Sequence, residues 1–244
     1  MSKTSGLGQF LLAGGIDLSG DVGSLSSIHG GPAALEVTGI DKAAPERIGG
    51  LLDGAIDYAA WFNKAVGQAH PTLSPLPTGD VIVMLGTGST VGLSAACMVG
   101  KQLDYAATRG ADGALSMTVP NPANGSSLEW CDLLTAGKRT DTTATDGTTL
   151  DGVAASTTGW AAYLEVTAFT GTSVTVTIED SANGSTWAAV TGGAFTAATA
   201  VGAQRIEGAS GATLRRYVRA TTSGTFTSAT FAASITRHPV GALA

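Results

Sequence analysis

Short segments in which apolar and polar residues alternate, each stopped by glycine or an Asn-Gly pair, recur along most of this chain. Leu115-Ser-Met-Thr-Val119 sets Leu115, Met117 and Val119 against Ser116 and Thr118, and Val174-Thr-Val-Thr-Ile178 repeats the pattern. A period of two places one residue set on one face of a strand, whereas a helix needs a period near 3.6. The 34 glycines make long helices costly and tight turns easy. Together these features restrict the chain to a mainly β fold of the sandwich or barrel kind. With 43% hydrophobic and only 13% charged residues, the composition is not that of a disordered chain, and 244 residues suffice for two cores.

Along the chain, residues 1–31 are rich in Gly and Ser with apolar residues in no period, and read as an arm or extended loop that orders only against something else. Residues 34–40 read as a strand. Over 51–63 a helical pattern (Leu52, Ala55, Ile56, Ala59) competes with period two, and the Asp53-Gly54 pair inside it favours strand. Pro71, Pro75 and Pro77 limit 69–76 to a short helical turn. Strands follow over 80–85, 93–99, 102–108 and 114–119. A stretch rich in Thr, Asp, Gly and Ala begins near 135, and the boundary falls there: a β domain over 32–136 and a second β-sandwich, jelly-roll or Ig-like, over 137–244. The clearest strands of the second are 163–169, 174–178, 214–220 and 229–235.

The two halves echo each other. The strand 115–119 is followed by an Asn124-Gly125 turn and Trp130, and the strand 174–178 by Asn183-Gly184 and Trp187. Either two hairpins reuse a dipeptide that readily takes positive φ, or the halves are diverged copies of one fold.

No motif for chemistry stands out. The run Val81-Ile-Val-Met-Leu-Gly-Thr-Gly-Ser-Thr-Val-Gly92 resembles a strand entering a nucleotide-binding glycine loop, but the third glycine position is Val91 and no amphipathic helix follows to hold a pyrophosphate. A plain turn is expected. His29, His70 and His238 are isolated from one another and from ligand-spaced partners, so no metal site is expected. Cys97 and Cys131 lie in apolar segments and read as buried free thiols. Asp53 and Asp57 share a strand face, as a general acid–base pair would, but read as a solvated face. Lys138-Arg139 and the Arg215, Arg216, Arg219 cluster are the basic concentrations; with no aromatic stripe beside them they read as strand-edge or subunit salt bridges. The Asn124 and Asn183 glycosylation patterns read as turns. No catalytic, cofactor or metal residue is assigned, and no enzyme is expected. The formal charge of −6 gives no field that would hold nucleic acid. The first ten residues hold one lysine and no sustained apolar run, which reads as cytoplasmic synthesis without a secretory signal, and no apolar run has the length of a membrane span.

One resemblance covers residues 39–137. Gly39-Ile-Asp-Lys-Ala-Ala-Pro-Glu-Arg-Ile-Gly-Gly50, Asp53-Gly-Ala-Ile-Asp-Tyr58, Trp61-Phe-Asn63, Ala69-His-Pro-Thr-Leu73, Asp80-Val-Ile-Val83, Thr108-Arg-Gly-Ala-Asp-Gly113 and Leu128-Glu-Trp130 are similar to the major tail (tail tube) proteins of long-tailed, siphovirus-like bacteriophages of actinobacterial hosts. The second half looks like a β-sandwich module often appended to such proteins. The resemblance implies a β-sandwich tile with a short helix, assembled into stacked rings that form the tail tube of the virion. Its implied partners are other copies of itself, tape measure and tail terminator proteins, and genomic DNA that passes through the lumen without specific binding during ejection. If the second half is a decoration the ring is a hexamer; if it is a second tile, three chains complete a pseudo-sixfold ring. The absence from the second half of the Asp-Gly-x-Ile segment and of the Ala-His-Pro-Thr-Leu segment of the first favours the hexamer. A reading of a different class, a carbohydrate-binding or host-adhesion protein of the virion, rests on the sandwich and on Trp160 and Trp187 as exposed aromatics.

Overall fold

The computed structural model describes residues 5–76 and 78–237, so His238 lies outside the described residues. The first half supplies β1 (Phe10–Ala13), β2 (Ile16–Asp17), β3 (Val22–Glu36), β4 (Arg47–Trp61), α1 (Ala69–Leu73), β5 (Val81–Gly86), β6 (Ser94–Gly100), β7 (Ala106–Arg109), β8 (Leu115–Val119) and β9 (Glu129–Leu133). The second supplies β10 (Arg139–Asp141), β11 (Leu150–Asp151), β12 (Ala161–Ser181), β13 (Ala188–Ala194), β14 (Gly202–Glu207) and β15 (Tyr217–Thr236). The fold is mainly β with one short helix and two sheet regions resembling tandem sandwiches.

A small four-stranded sheet runs β3-β4-β8-β7 and packs against part of a large eleven-stranded sheet. Between them lies a core in which Ile56, Tyr58, Ala60 and Val119 of the small sheet meet Leu11, Val83, Leu85, Ala96 and Met98 of the large one. The alternation seen in the sequence does this work, because every second residue of β4 and β8 turns inward. Helix α1 closes one side: the Asp21 carboxylate accepts the N–H of Ala69 at 2.8 Å, which caps the helix and brings Leu73 into the core. Pro71 is tolerated because it stands in the first turn, where N–H groups have no helical acceptor.

In the second half, β12 and β15 pair antiparallel along nearly their full length, from Ala161↔Thr236 to Ser181↔Tyr217. Register shifts near Val166, Thr170 and Gly171 fold this ribbon over, so one strand pair contributes to both layers of a sandwich. Gly171 (φ 150) and Gly224 (φ 116) stand at the corner; a Cβ on either would overlap the facing backbone, Phe226 Cα or Ser173 O. The sandwich core contains Trp160, Leu164, Val176, Ile178, Phe195, Leu214, Val218 and Phe231.

Backbone pairing and apolar packing both join the halves. Strand β15 pairs with β9 through Ser234↔Leu133 and Ile235↔Asp132, so the large sheet runs on across residue 136. A third apolar cluster lies at the junction, where Phe10, Leu12, Met84, Cys97 and Cys131 meet Tyr163 and Ala232.

Several expectations are corrected. Of the arm expected over 1–31, the described residues from 5 onward are not ordered only by a partner: Phe10, Leu11, Leu12, Ala13 and Leu18 are buried, and 10–17 form β1, the Gly14-Gly15 turn and β2. Their apolar residues occupy both faces of one short strand between two cores, which is why no period was visible. The strand expected over 34–40 ends at Glu36, and that over 102–108 begins only at Ala106. The echo between halves is not a repeated unit. Strand β12 and the strand after Trp187 form a true hairpin, whereas β8 and the Trp130 strand β9 belong to different sheets. Both Asn-Gly turns do exist, with Gly125 at φ 74 and Gly184 at φ 73. The Thr-rich stretch after 135 is pinned onto β15 by β10 and β11 rather than left free.

Candidate assembly surface

The small sheet ends in two free edges. Among the described residues β3 pairs only with β4, and β7 pairs only with β8. Each pairing in the sheet is antiparallel, so β3 and β7 run in opposite directions. An edge strand exposes a row of backbone donors and acceptors, and monomeric proteins ordinarily cover it. Here β3 is 15 residues long. Only Pro32 interrupts its donors, which leaves 22–31 as the stretch able to accept another strand.

Beyond the packed part of the sheet, β3 and β4 continue as a two-stranded hairpin joined by the loop 37–46. The loop is held by Val37 N–H to Glu46 O at 2.9 Å, Glu46 N–H to Thr38 Oγ1 at 3.0 Å and a Lys42–Glu46 ion pair at 3.5 Å. Leu35 pairs with Ile48 and Pro32 with Leu52 across the strands. Leu35, Val37, Ile40, Ile48, Leu51 and Leu52 are all exposed, Leu51 at 79% and Ile40 completely. A lone two-stranded ribbon is marginally stable in water, and an apolar one is a docking element awaiting a surface.

The small sheet's outer face has a distinct chemistry. By register it carries Ser24 and Ser27 on β3, Asp57 and Ala59 on β4, Ser116 and Thr118 on β8, and Ala106 and Thr108 on β7, with Trp61 at its end. No lysine or arginine lies among them. This face offers small hydroxyl and methyl groups and, further along, the His29 ring and the Asp53 carboxylate beside that of Asp57, a net acidic surface to which a polyanion does not stick.

The arginines that looked like a basic cluster are neutralised within the chain. Arg215 is bound to Asp180 at 2.5 Å, Arg216 to Asp151 at 2.6 Å, and Arg219 to Glu179 at 2.7 Å and Asp146 at 2.9 Å. Arg139 meets Asp141 at 2.8 Å. The fork of Arg216 hydrogen-bonds both Asp151 oxygens and pulls that carboxyl down to about 2. Lys138 pairs with Asp17 of β2, tying the second half to the first.

No family model matches the chain, and no curated protein matches it. Two solved structures are similar in part. One is the tail of an empty GTA particle with C6 symmetry, at 12% identity and a TM-score of 0.38, over 52% of this chain and 97% of that one. The other is the Dit protein (gp 19.1) of SPP1, described as a paradigm of the hub adsorption apparatus in phages infecting Gram-positive hosts, at 11% identity and a TM-score of 0.34, over 93% of this chain and 99% of that one. Likeness at this level identifies no family.

The remaining residues singled out in the sequence are placed as follows. His29 is exposed, its Nδ1 2.8 Å from Ser27 Oγ, and His70 lies between Phe62 and Tyr105 with ring centroids 4.4 and 5.7 Å away. Among the described residues no group of three or more His, Cys, Asp or Glu could hold a metal ion. Cys97 and Cys131 are buried free thiols; burial, and then the neighbouring Cys97, push the Cys131 thiol up, away from reactivity. Asp53 and Asp57 are not brought together as an acid–base pair: Asp53 accepts the N–H of Gly54 and Asp57 that of Asn121, each at 2.8 Å. The glycine run after β5 is a turn with no helix after it. Trp160 is not exposed but fully buried, and Trp187 is half-buried beneath the Arg219 guanidinium at 4.4 Å. Sequence reasoning missed the long apolar hairpin, because its exposed leucines and isoleucines are written in the same alternation as a core strand.

Proposed function

We propose that this chain is a structural subunit of a phage tail, which joins other copies of itself edge to edge into rings that stack as the tail tube. The observation that carries this reading is the four-stranded sheet with oppositely directed free edges. Joining β7 of one copy to β3 of the next continues the antiparallel pattern, and such a head-to-tail contact forms a ring where the rotation from copy to copy closes. The apolar hairpin, projecting beyond the packed sheet, supplies the contact to a neighbouring ring, and the outer face of small hydroxyl residues and Asp57 lines the lumen. The resemblance over residues 39–137 supports the same reading.

Size favours six copies over three. Strands spaced by about 4.8 Å and tilted by about 40° give a barrel about 24 Å across for twelve strands and about 48 Å for twenty-four. Side chains about 5 Å long on the inner face leave roughly 14 and 38 Å. A DNA duplex about 20 Å across passes only the second. Three copies would suffice if each chain carried two such tiles, but the strands of the second half all belong to the large sheet. Negative-stain microscopy of the concentrated protein tests this reading: rings or tubes with a stain-filled lumen are expected, and a monomer at all concentrations would refute it.

The second reading, a carbohydrate-binding adhesion protein of the virion, has one observation of its own. A cleft of about 470 Å³ in the second half is lined by Trp160, Asp180, Thr191, Thr213 and Arg215. Asp180, Thr191, Thr213 and Arg215 offer polar groups to sugar hydroxyls, while Trp160 behind them is fully buried and presents no ring face. Retention of the protein on host cell-wall polysaccharide, lost on Thr213→Trp, would support adhesion; no retention of the wild-type chain would remove it.

A further inference from the structure

We infer that the second half is an obligate part of the assembly unit, with Glu165 on β12 as the positioning residue that clasps the Gly14-Gly15 turn and so fixes the start of the β3 edge. The assembly consequence rests on the ring reading above; the clasp does not.

Glu165 is fully buried, in the interface between the halves. Its Oε2 accepts the N–H of Gly15 at 2.5 Å, while the N–H of Gly14 beside it donates to Ile82 O at 3.0 Å. The turn is shaped for that contact. Gly14 and Gly15 have φ of 61 and 87, and a Cβ on Gly15 would overlap Gly202 N and press on Val166 O. Two glycines are needed here because the turn requires left-handed backbone and lies flat on another strand. Lys138, also from the second half, holds Asp17 two residues beyond the turn.

Only four residues separate β2 from β3, and three of them, Leu18, Ser19 and Asp21, are hydrogen-bonded to their surroundings. Leu18 N–H donates to Leu11 O at 2.9 Å, and Asp21 and Val22 both return to Leu18 O, at 2.9 and 3.0 Å. Asp21 then receives Asn63 Nδ2 and the N-terminus of α1. A displacement of the turn is therefore passed to Val22, the first residue of the free edge, through the bonds of Leu18 and Asp21 on either side of the exposed Gly20. A detachable decoration would be joined by a linker and a small polar contact. Here a buried carboxyl grips backbone, and its loss leaves the Gly15 N–H without that acceptor in a closed interface.

The test uses the full-length chain and hydrogen–deuterium exchange. In the wild-type protein the peptide covering 10–25 should open as one unit with that covering 161–167, at matched rates; faster, independent exchange of 10–25 would overturn the clasp without any variant. Glu165→Ala should speed exchange over 14–25 at least tenfold while leaving β12–β15 corner peptides unchanged, and should abolish rings. Glu165→Gln, which keeps a carbonyl oxygen for Gly15, should restore protection and assembly. Arg216→Ala, which breaks an exposed ion pair elsewhere in the second half, should change neither. Unchanged exchange over 14–25 in Glu165→Ala would refute the clasp. Raised exchange with normal rings would refute its role in assembly. If Glu165→Ala does not fold, the wild-type rates and the rescue by Glu165→Gln decide. If the wild-type chain forms no rings, the ring reading fails and the exchange data still judge the clasp.

Discussion

Val153 has φ 67 and a side chain that is 80% exposed. A β-branched residue meets its own carbonyl in that region, at a cost of about 1–2 kcal/mol, and gains no burial in return. Val153→Asn should therefore raise stability by about 0.5–1 kcal/mol, read as an upward shift of the denaturant midpoint at constant slope. Two carboxyls behave oppositely. Asp151 is held low by Arg216 and by the Val153 N–H, so its resonance should titrate near pH 2 and move upward in Arg216→Ala, as followed by carboxyl NMR. Glu165 is raised well above its ordinary value by burial, against the pull of the Gly15 and Gly14 N–H groups. The folded chain then keeps a proton that the unfolded chain has released. That contribution is complete below the unfolded value of about 4.3 and is lost as pH rises through the folded one. A wild-type stability that falls relative to Glu165→Gln above pH 5 is the expected signature; parallel curves would contradict the burial argument.

At the scale of elements, the hairpin and the corner of the second sandwich call for opposite outcomes. Leu51 and Ile48 are exposed, so Leu51→Lys or Ile48→Asp should leave the thermal midpoint of the monomer nearly unchanged, within about 0.5 kcal/mol, while preventing ring stacking. Gly224→Val forces a side chain into Ser173 O at a positive φ and should cost at least 2 kcal/mol or abolish folding, with circular dichroism as the check. These elements also mark what the sequence could reveal. Alternation in 115–119 and 174–178 correctly announces strands, and Asn-Gly correctly announces turns, because both are local physics. Alternation does not say what lies on the far side of the inward face. The strands read over 34–40 and 51–63 therefore gave no sign that Leu35 and Leu52 face solvent, and 163–169 with 174–178 read as two strands when a bulged corner makes them one. Trp160 looked like a binding residue because nothing local distinguishes a tryptophan that fills a sandwich from one that covers a sugar. Phe10-Leu-Leu-Ala13 showed no period because it serves two cores at once.

At the scale of the whole molecule, the number of tiles per chain determines the ring, and this number was ambiguous while the two halves looked alike. The strand–Asn-Gly–Trp echo suggested duplication, yet sheet membership separates the two instances: β12 and β13 return within one sheet, whereas the chain leaves β8 for the other sheet before Trp130. With one free-edged sheet per chain, the circumference of the lumen scales with copy number alone. Cysteines placed on facing edges, Ser27→Cys on β3 and Thr108→Cys on β7, should cross-link neighbouring copies under mild oxidation, while the buried Cys97 and Cys131 stay out of reach. The denaturing-gel ladder is expected to stop at six chains, with the sixfold product migrating as a closed ring. A ladder ending at three would overturn the lumen argument, since twelve strands leave too narrow a bore for a duplex, and it would require the large sheet to contribute strands to the wall. Cross-linking confined to dimers would mean that the β3 and β7 edges do not meet head-to-tail, and the ring itself would fall.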